Sequence, residues 1–235
     1  VHDLKSPLSA ILGNLDLLEL RGTEELRYLV QRSKQGAALM LKMILNLLDV
    51  DGLEEGRLVP ALERVDATAL VRETLAAAEA AAGQKGVSLE LAAEGAVGVD
   101  ADPVLLRRVI DNLLSNAVAH SPRDGRVEVA VRLREEGVEL AVTDEGPGVA
   151  EEHRDRVFEK YDQAGLRKSG LSTNRGLGLT FCRLAVEAHG GTIWIEAGPG
   201  GGACFRLLLA APADDQSAPC ADVVVPVGSR DSEPA

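Results

Sequence analysis

The sequence lacks clustered positive charge, paired cysteines and any long apolar run. Its 235 residues carry a formal net charge of −12, which argues against nucleic acid and anionic membrane surfaces as main partners. Its three cysteines show no CxxC spacing, so a zinc site is not expected and a reducing compartment fits best. No apolar run reaches membrane-spanning length, and no signal peptide is visible. These absences predict a cytoplasmic chain without direct membrane contact, although an anchor could lie upstream.

The sequence also has few aromatic residues, and it does not begin with methionine. Aromatics make up 3% of the residues against a hydrophobic content of 46%, so the core must consist of Leu, Val, Ala and Ile. The chain starts at Val1, and we therefore expect it to be a piece of a longer protein. Its length allows one large domain or two small ones.

The first fifty residues show an apolar pattern with alternating spacings of three and four. Its members are Leu4, Leu8, Ile11, Leu15 and Leu18, then Leu26, Val30, Ser33, Ala37, Met40, Ile44 and Leu47. Such a heptad seam predicts two helices packed at a shallow angle, with Thr23 as the N-cap of the second. Because one small hairpin buries little surface, we expect two copies to form a four-helix bundle. The stretch "DGLEEGRLVP", from Asp51, breaks the pattern and is predicted to be a linker.

Helical and strand patterns alternate from about Leu62 to Ala211. Helices are predicted at "DATALVRETLAAAEAAAG", "DPVLLRRVIDNLLSNAVAH", "AEEHRDRVFEKY" and "RGLGLTFCRLAVEAHG", and strands at "VSLELAA", "GRVEVAVRLREEGVELAVTDEG", "GTIWIEAG" and "GACFRLLLA". Asp66 and Asp102 stand at helix starts, where aspartate caps free N–H groups. Helices with a mixed sheet predict an α/β sandwich. The acidic segment after Pro212 is predicted to be mostly disordered.

The segment "VHDLKSPL" at the start carries a possible nucleophile. His2 falls outside the apolar seam, and the adjacent Asp3 could fix its tautomer and leave the other ring nitrogen reactive. Ser6 is one helical turn from His2, and Pro7 should bend the helix there. The alternative is that His2 is an ordinary solvated histidine, which is the commoner case for an isolated surface residue.

The segment "DNLLSNAVAHSP" places Asn112 and Asn116 one helical turn apart on one face. Amide oxygens are hard ligands that suit Mg²⁺, which takes its remaining ligands from water and substrate phosphates. Two asparagines on a helix also commonly form only local hydrogen bonds, so the pattern is compatible with either a Mg²⁺ ligand or a local contact.

Two glycine-containing segments are typical of nucleotide sites. In "VTDEGPGV", Asp144 ends a strand and could accept a hydrogen bond from an exocyclic amine, while Gly146 and Gly148 allow close backbone approach. In "NRGLGLTFC", Gly176 and Gly178 flank a helix start, where free N–H groups attract phosphate. Each segment alone is equally compatible with an ordinary turn or cap.

Taken in order, these segments resemble the catalytic core of a sensor histidine kinase of a two-component system. "HDLKSPL" resembles the H-box of that family, "DNLLSNAVAHSP" the N-box, and "VTDEGPGV" the first glycine box. "VFEKY" resembles its F-box, "RGLGLTF" its second glycine box, and "EAHGGTIWIEAGPGGGACFRLLL" its closing strands. The resemblance covers roughly residues 1–209.

The resemblance implies a dimerisation and histidine-phosphotransfer hairpin over residues 1–58 and a Bergerat-type ATP-binding domain over 59–212, with an acidic tail over 213–235. It implies ATP and Mg²⁺ as cofactors, and a second copy of the chain and the receiver domain of a response regulator as partners. His2 is expected to be the phosphoacceptor and Asp3 its base or orienting acid. Ser6 is expected to serve dephosphorylation of the regulator.

The resemblance also assigns residues to the ATP site. Asn116 matches the asparagine that ligates Mg²⁺, and Asp144 matches the acid that reads adenine. The other expected ATP-binding residues are Asn112, His120, Gly146, Gly148, Lys160, Tyr161, Arg175, Gly176, Leu177, Gly178 and Leu179.

The sequence departs from the family pattern at several positions. Ala119 stands where a lysine or arginine is common, His120 where an aromatic residue is common, and Ser6 where threonine or asparagine is usual. Asn174 replaces a glycine, and Gln163 replaces an arginine. Two other functions stay open: a hydrolytic ATPase of the same superfamily, and a non-catalytic dimeric scaffold.

Overall fold

The structure, a computed structural model, describes residues 11–13, 15, 18, 23–93, 95–160, 177–211 and 224–226. The chain divides into two compact units, Val1–Leu58 and Val59–Ala235. Within the described ranges, no helix combines the length and apolar character needed to cross a membrane.

The first unit is mainly helical. Residues 11–13, 15 and 18 are helical, and α1 covers Glu24–Glu54. Thr23 occupies the N-cap position of α1 with an extended backbone, but its side chain makes no capping hydrogen bond. The predicted second helix is therefore confirmed, and the threonine contributes backbone geometry without the expected side-chain cap.

The prediction that α1 gives way to a linker at Asp51 is wrong. Gly52 lies buried inside the helix, and its carbonyl accepts a hydrogen bond from the N–H of Leu58 at 2.9 Å. The helix ends at Glu54, and Gly56 then adopts a φ of +65°. Glycine reaches this left-handed conformation at little cost, which makes it a natural helix terminator.

The predicted apolar seam divides into buried and exposed positions. Val30 and Ala37 are buried, whereas Leu26, Met40 and Leu47 are exposed by 39%, 52% and 37%. Large apolar side chains on a helix surface cost free energy in water, so this exposed set is a candidate contact surface.

Eight strands are described in the second unit. They are β1 (Glu63–Asp66), β2 (Ser88–Ala93), β3 (Gly98–Ala101), β4 (Arg126–Arg134), β5 (Gly137–Asp144), β6 (Thr192–Ala197), β7 (Ala203–Leu209) and β8 (Val224–Pro226). Six of them form a mixed sheet in the order β6–β7–β5–β4–β2–β8, in which only β2 and β4 are parallel neighbours. β1 and β3 form a separate antiparallel ribbon.

The helices of the second unit begin at the predicted caps. They are α2 (Ala67–Gly83), α3 (Pro103–His120) and α4 (Gly178–Ala188). The carboxylate of Asp66 accepts a hydrogen bond from the N–H of Ala69 at 3.0 Å. Oδ1 of Asp102 accepts from the N–H groups of Val104 and Leu105 at 2.9 and 3.0 Å. Both predicted caps are therefore confirmed.

One face of the sheet forms the core with the helices. Along β4, Val127, Val129 and Val131 are fully buried, while Glu128 and Arg132 alternate onto the other face and stay partly exposed. This period of two follows from the strand geometry. The predicted class, a helical region followed by a mixed α/β domain, is confirmed.

The segment "AEEHRDRVFEKY" does not form the predicted helix. It contains two short 3₁₀ turns, Glu151–His153 and Arg156–Phe158. Its buried apolar residues are Val157 and Phe158, which are adjacent in sequence and cannot form one helical stripe. Phe158 instead meets Phe205 of β7 edge to face, with ring centroids 6.3 Å apart.

Three short strands differ from the sequence prediction. β1 and β3 are too short to show a clear alternation of apolar and polar residues in the sequence. They form because the backbone groups of each strand hydrogen-bond with those of the other. β8 falls in the tail for which little regular structure is expected, and it pairs with the free edge of β2. Pro226 is its last residue, where the missing N–H disturbs an edge strand least.

Candidate functional site

Asp144 ends β5 with a buried carboxylate that is only 3% exposed. Its Oδ1 accepts hydrogen bonds from the N–H of Gly146 at 2.8 Å and the N–H of Ala203 at 3.2 Å. Ala203 begins β7, the sheet neighbour of β5, so the sheet itself delivers the second donor. Oδ2 makes no hydrogen bond within the part of the chain that the structure describes. The carboxylate is thus oriented through one oxygen and retains the other as an acceptor.

The glycines after Asp144 are required by the protein's own backbone. A methyl group on Gly146 would lie 2.8 Å from Oδ1 of Asp144 and 2.8 Å from the carbonyl oxygen of His120. Gly148 adopts a φ of +68°, and a methyl group there would collide with the carbonyl of Gly201. The described close neighbours of both glycines are protein atoms, and the close approach of this backbone to a ligand stays a prediction.

The surroundings of Asp144 shift the pKa of its carboxyl in both directions. Burial raises the pKa of the Asp144 carboxyl above its usual value, while the N–H groups of Gly146 and Ala203 and the nearby His120 act in the opposite direction. The net result is a raised pKa. A buried acid with a raised pKa beside a tight turn is a typical feature of functional sites.

His120 is the last residue of α3 and is half-buried next to this turn. Burial lowers the pKa of its imidazole; Asp144 raises it, and Lys85 lowers it further. The net shift is downward, so the ring is neutral at neutral pH. The structure therefore brings His120, Asp144 and Gly146 together, as the motif order predicts.

A second cluster lies one to two turns back along α3. Asn112 is buried at 7% exposure, and a methyl group on Gly178 would lie 3.6 Å from its Oδ1. Gly178 is the first residue of α4, as predicted, and Leu177 at the N-cap makes no side-chain capping bond. The first N–H groups of this helix remain potential anion donors. Asn116, partly exposed, lies on α3 between this cluster and His120.

The remaining predicted residues are unevenly placed. Leu177 and Leu179 flank Gly178 and are partly exposed. Lys160 is the last residue of the described range 95–160. The predicted residues outside the described part of the chain are His2, Asp3, Ser6, Tyr161, Arg175 and Gly176.

Sequence reasoning missed one charged residue at the site. Lys85, in the turn between α2 and β2, donates from Nζ to the carbonyl oxygens of Val118 and Ala119 at the end of α3. A lysine between Gln84 and Gly86 carries no motif, so only the assembled fold reveals its position.

Two family models match the chain. Residues 1–56 match the His Kinase A (phospho-acceptor) domain, and residues 101–213 match the Histidine kinase-, DNA gyrase B-, and HSP90-like ATPase. The two matches follow each other in the order that the sequence motifs predict.

Relatives with curated names are sensor proteins. The Sensor-like histidine kinase SenX3 of Mycobacterium tuberculosis is 31% identical over 212 residues, which cover 89% of this chain and 52% of SenX3. The Virulence sensor protein BvgS of Bordetella bronchiseptica is 31% identical over 218 residues, covering 88% of this chain and 17% of BvgS. The chain thus spans about half the length of SenX3 and less of BvgS.

Solved structures agree with these matches. Full-length ShkA in complex with AMPPNP superimposes with a TM-score of 0.73 at 28% identity, covering 90% of this chain and 45% of ShkA. The mycobacterial sensor histidine kinase MprB gives a TM-score of 0.57 at 28% identity, covering 64% of this chain and 98% of that chain. With its phospho-acceptor and ATPase domains in this order, the chain belongs to the sensor histidine kinases.

Proposed function

We propose that the second unit binds ATP along α3, with adenine at Asp144 and the phosphates toward the start of α4. The observation that carries this proposal is the Asp144 carboxylate, which is buried and oriented through Oδ1, while no residue in the described part of the chain donates to Oδ2. A carboxylate held in this way recognises an exocyclic amine such as that of adenine. The similar protein ShkA forms a complex with AMPPNP, which supports the binding of ATP by this chain.

The spacing along α3 fits an extended nucleotide. His120, next to Asp144, and Asn112, next to Gly178, are eight residues apart on one helix. At 1.5 Å per residue this corresponds to about 12 Å along the axis. The N–H groups at the start of α4 would meet phosphate oxygens, since a helix N-terminus attracts anions.

Asn116 fits a role in holding Mg²⁺. Its side chain is partly exposed on α3, one turn from Asn112, and its amide oxygen is the kind of hard donor that Mg²⁺ accepts. A single amide is a weak site, so the ion would arrive with the nucleotide and take its other ligands from phosphate and water. The ion would supply charge neutralisation for the phosphates.

The proposed reaction is autophosphorylation of His2. A neutral ring nitrogen of His2 attacks the γ-phosphorus of ATP, the bond between that phosphorus and the β,γ-bridging oxygen breaks, and ADP leaves. Asp3 orients the ring and helps it to lose its proton. The phosphoryl group then passes to an aspartate on the receiver domain of a response regulator, and Ser6 serves the reverse removal of phosphate from that regulator. These assignments rest on the sequence motif.

We further propose that residues 1–58 form a four-helix bundle with a second copy of the chain. The exposed side chains of Leu26, Met40 and Leu47 on α1 would become buried in such a bundle. Residues 59–212 would form the ATP-binding domain, followed by the tail from 213 to 235. We also propose a cytoplasmic location for the activity, because it would depend on ATP and on a receiver domain.

Incubation with γ-labelled ATP and Mg²⁺ tests the function. We expect acid-labile, alkali-stable label on the protein, lost completely in His2→Ala and retained in the matched control His153→Ala. Label that survives in His2→Ala would overturn the assignment of His2. Release of free phosphate without labelled protein would favour a hydrolytic ATPase, although Asn112 stands where such enzymes need a glutamate base. Neither product would favour a scaffold.

A further inference from the structure

The last turn of α3 is held by a lysine from another part of the chain. Nζ of Lys85 donates hydrogen bonds to the carbonyl oxygens of Val118 and Ala119, at 3.0 and 2.7 Å. Carbonyls in the last turn of a helix have no partner inside the helix and form the negative end of its dipole. An ammonium group at this position therefore satisfies two acceptors and interacts favourably with the dipole.

The backbone around Lys85 is fixed independently of its side chain. Its carbonyl oxygen accepts from the N–H of Asp124 at 3.4 Å, and the N–H of Ser88 donates to the carbonyl of Gly125 at 2.9 Å. Gly86 adopts a φ of +75° and packs against Asp124. The turn that carries Lys85 and the turn that follows α3 thus brace each other, and the partly exposed Lys85 is held at a defined place.

The turn held by Lys85 leads directly into the candidate nucleotide site. His120 follows Ala119, and its carbonyl oxygen lies so close to Gly146 that only glycine fits there. The charged groups that interact with the His120 ring are Asp144, from the end of β5, and Lys85, from the turn before β2. A displacement of this turn would therefore move His120 and crowd the glycine turn that orients Asp144.

We propose that Lys85 is a positioning residue of the nucleotide site, which clamps the last turn of α3 and thereby keeps His120 and Gly146 in the arrangement that accepts adenine. This inference rests on the proposed binding of ATP. Lys85 also supplies, from a different element, a positive charge beside Ala119, where the family pattern commonly has a lysine or arginine. Its proposed action is indirect, through the helix end, and requires no contact with the nucleotide.

The clamp has an electrostatic consequence for His120. Burial lowers the pKa of the imidazole, and Lys85 adds to that lowering while Asp144 opposes it. Without the ammonium group the pKa of His120 should rise. A protonated His120 would then pair with Asp144 and compete for the carboxylate that adenine needs.

Calorimetric titration of the full 235-residue chain with ATP tests the proposal. Lys85→Met, which keeps side-chain length without the charge, should weaken ATP binding by about threefold to thirtyfold. Lys85→Arg should restore most of the affinity. The matched control is Arg123→Met, which removes an exposed positive charge from the neighbouring turn and should change affinity by less than about twofold. In an NMR titration, the midpoint of the His120 ring should move to higher pH in Lys85→Met only.

Two results would overturn the inference. One is unchanged ATP affinity in Lys85→Met, whatever the His120 midpoint. The other is an equal loss in Arg123→Met, which would reveal a general effect of net charge. If Lys85→Met does not fold, Lys85→Gln replaces it, because a neutral donor keeps one hydrogen bond and removes the charge. Failure of the unaltered chain to bind ATP would instead refute the proposed function, so the two failures are distinguishable.

Discussion

The backbone N–H of Asp102 donates a hydrogen bond to Nε2 of His189 across 3.0 Å, although 87 residues separate them in the chain. Nδ1 of the same ring lies 2.6 Å from the carbonyl oxygen of Ala185. Since Nε2 accepts, Nδ1 must carry the proton and donate, which fixes a neutral tautomer. His189 is 8% exposed at the end of α4, so this ring joins the start of α3 to the end of α4.

Removal of the His189 ring should destabilise the second unit. His189→Ala leaves the N–H of Asp102 without its acceptor and opens space at a buried position. We expect a loss of about 2–3 kcal/mol in the free energy of unfolding. Urea denaturation followed by circular dichroism measures it. His153→Ala, at a partly exposed position, is the control and should change stability by less than about 0.5 kcal/mol. Equal effects of the two variants would refute the role of His189.

Asp102 should stabilise the fold in a pH-dependent way. Its Oδ2 accepts the N–H of Ala61 at 3.1 Å, in addition to the two capping bonds at Oδ1. Burial raises the pKa of the Asp102 carboxyl, but the hydrogen bonds from the N–H groups of Leu105, Ala61 and Val104 outweigh burial and lower it.

Because the pKa of Asp102 is lower in the folded state, its contribution is present above the unfolded value and lost on acidification. Asp102→Ala should cost about 1–2 kcal/mol at pH 7. Asp102→Asn should cost less, since one oxygen can still cap α3. Denaturation midpoints measured from pH 7 down to about pH 3 should converge for the unaltered chain and Asp102→Asn. A difference between the two denaturation midpoints that stays constant with pH would contradict the role of the Asp102 charge.

The ionised carboxylate of Asp144 should lower the stability of the fold and provide the preference for ATP. Its folded pKa is raised, so its ionised form disfavours folding as pH rises through that value, and the neutral form carries no such penalty. Asp144→Asn keeps an oxygen for the N–H groups of Gly146 and Ala203. We expect this variant to be more stable than the unaltered chain at pH 7, with the difference vanishing in acid, and to lose the preference for ATP over GTP. Thermal unfolding and competitive nucleotide titration measure the two effects, and a destabilised variant that still prefers ATP would contradict both.

Gly146→Ala should abolish ATP binding because the added methyl group would crowd Oδ1 of Asp144 and the carbonyl of His120, each at 2.8 Å. The matched control is Gly83→Ala at the end of α2, where no described atom beyond its chain neighbours and the backbone of its own helix lies within 4 Å of the added carbon. That variant should bind ATP normally and be as stable as the unaltered chain or slightly more so. Normal ATP binding by Gly146→Ala would show that the turn can open without cost.

The exposed seam of α1 should mediate dimerisation. Met40→Glu places a charge on a side chain that is 52% exposed in the single chain, so folding of the helix is unaffected but burial in a bundle is costly. We expect sedimentation to show that the affinity of the dimer falls by about tenfold or more. The control is Ala38→Glu, also exposed but about 200° away around the helix, at 100° per residue. A monomeric parent chain at micromolar concentration would refute the bundle.

Local features could be predicted from the sequence because their causes act over a few residues. The caps Asp66 and Asp102 bind N–H groups two or three positions later, and the alternation in β4 and β5 follows from strand geometry. The end of α1 and the segment from Glu151 to Phe158 could not be predicted in this way. There, burial of Gly52 and the contact of Phe158 with Phe205 override the local pattern.

The sequence by itself determined the order of domains, the family and the roles of Asn112, Asn116 and Asp144 as candidates, since ordered motifs are read directly along the chain. Only the tertiary structure decided which distant groups complete the site. Lys85 reaches the end of α3 across 33 and 34 residues, and Ala203 reaches Asp144 across 59. Such contacts depend on which strands and helices become neighbours, and no pattern of a few residues encodes that outcome.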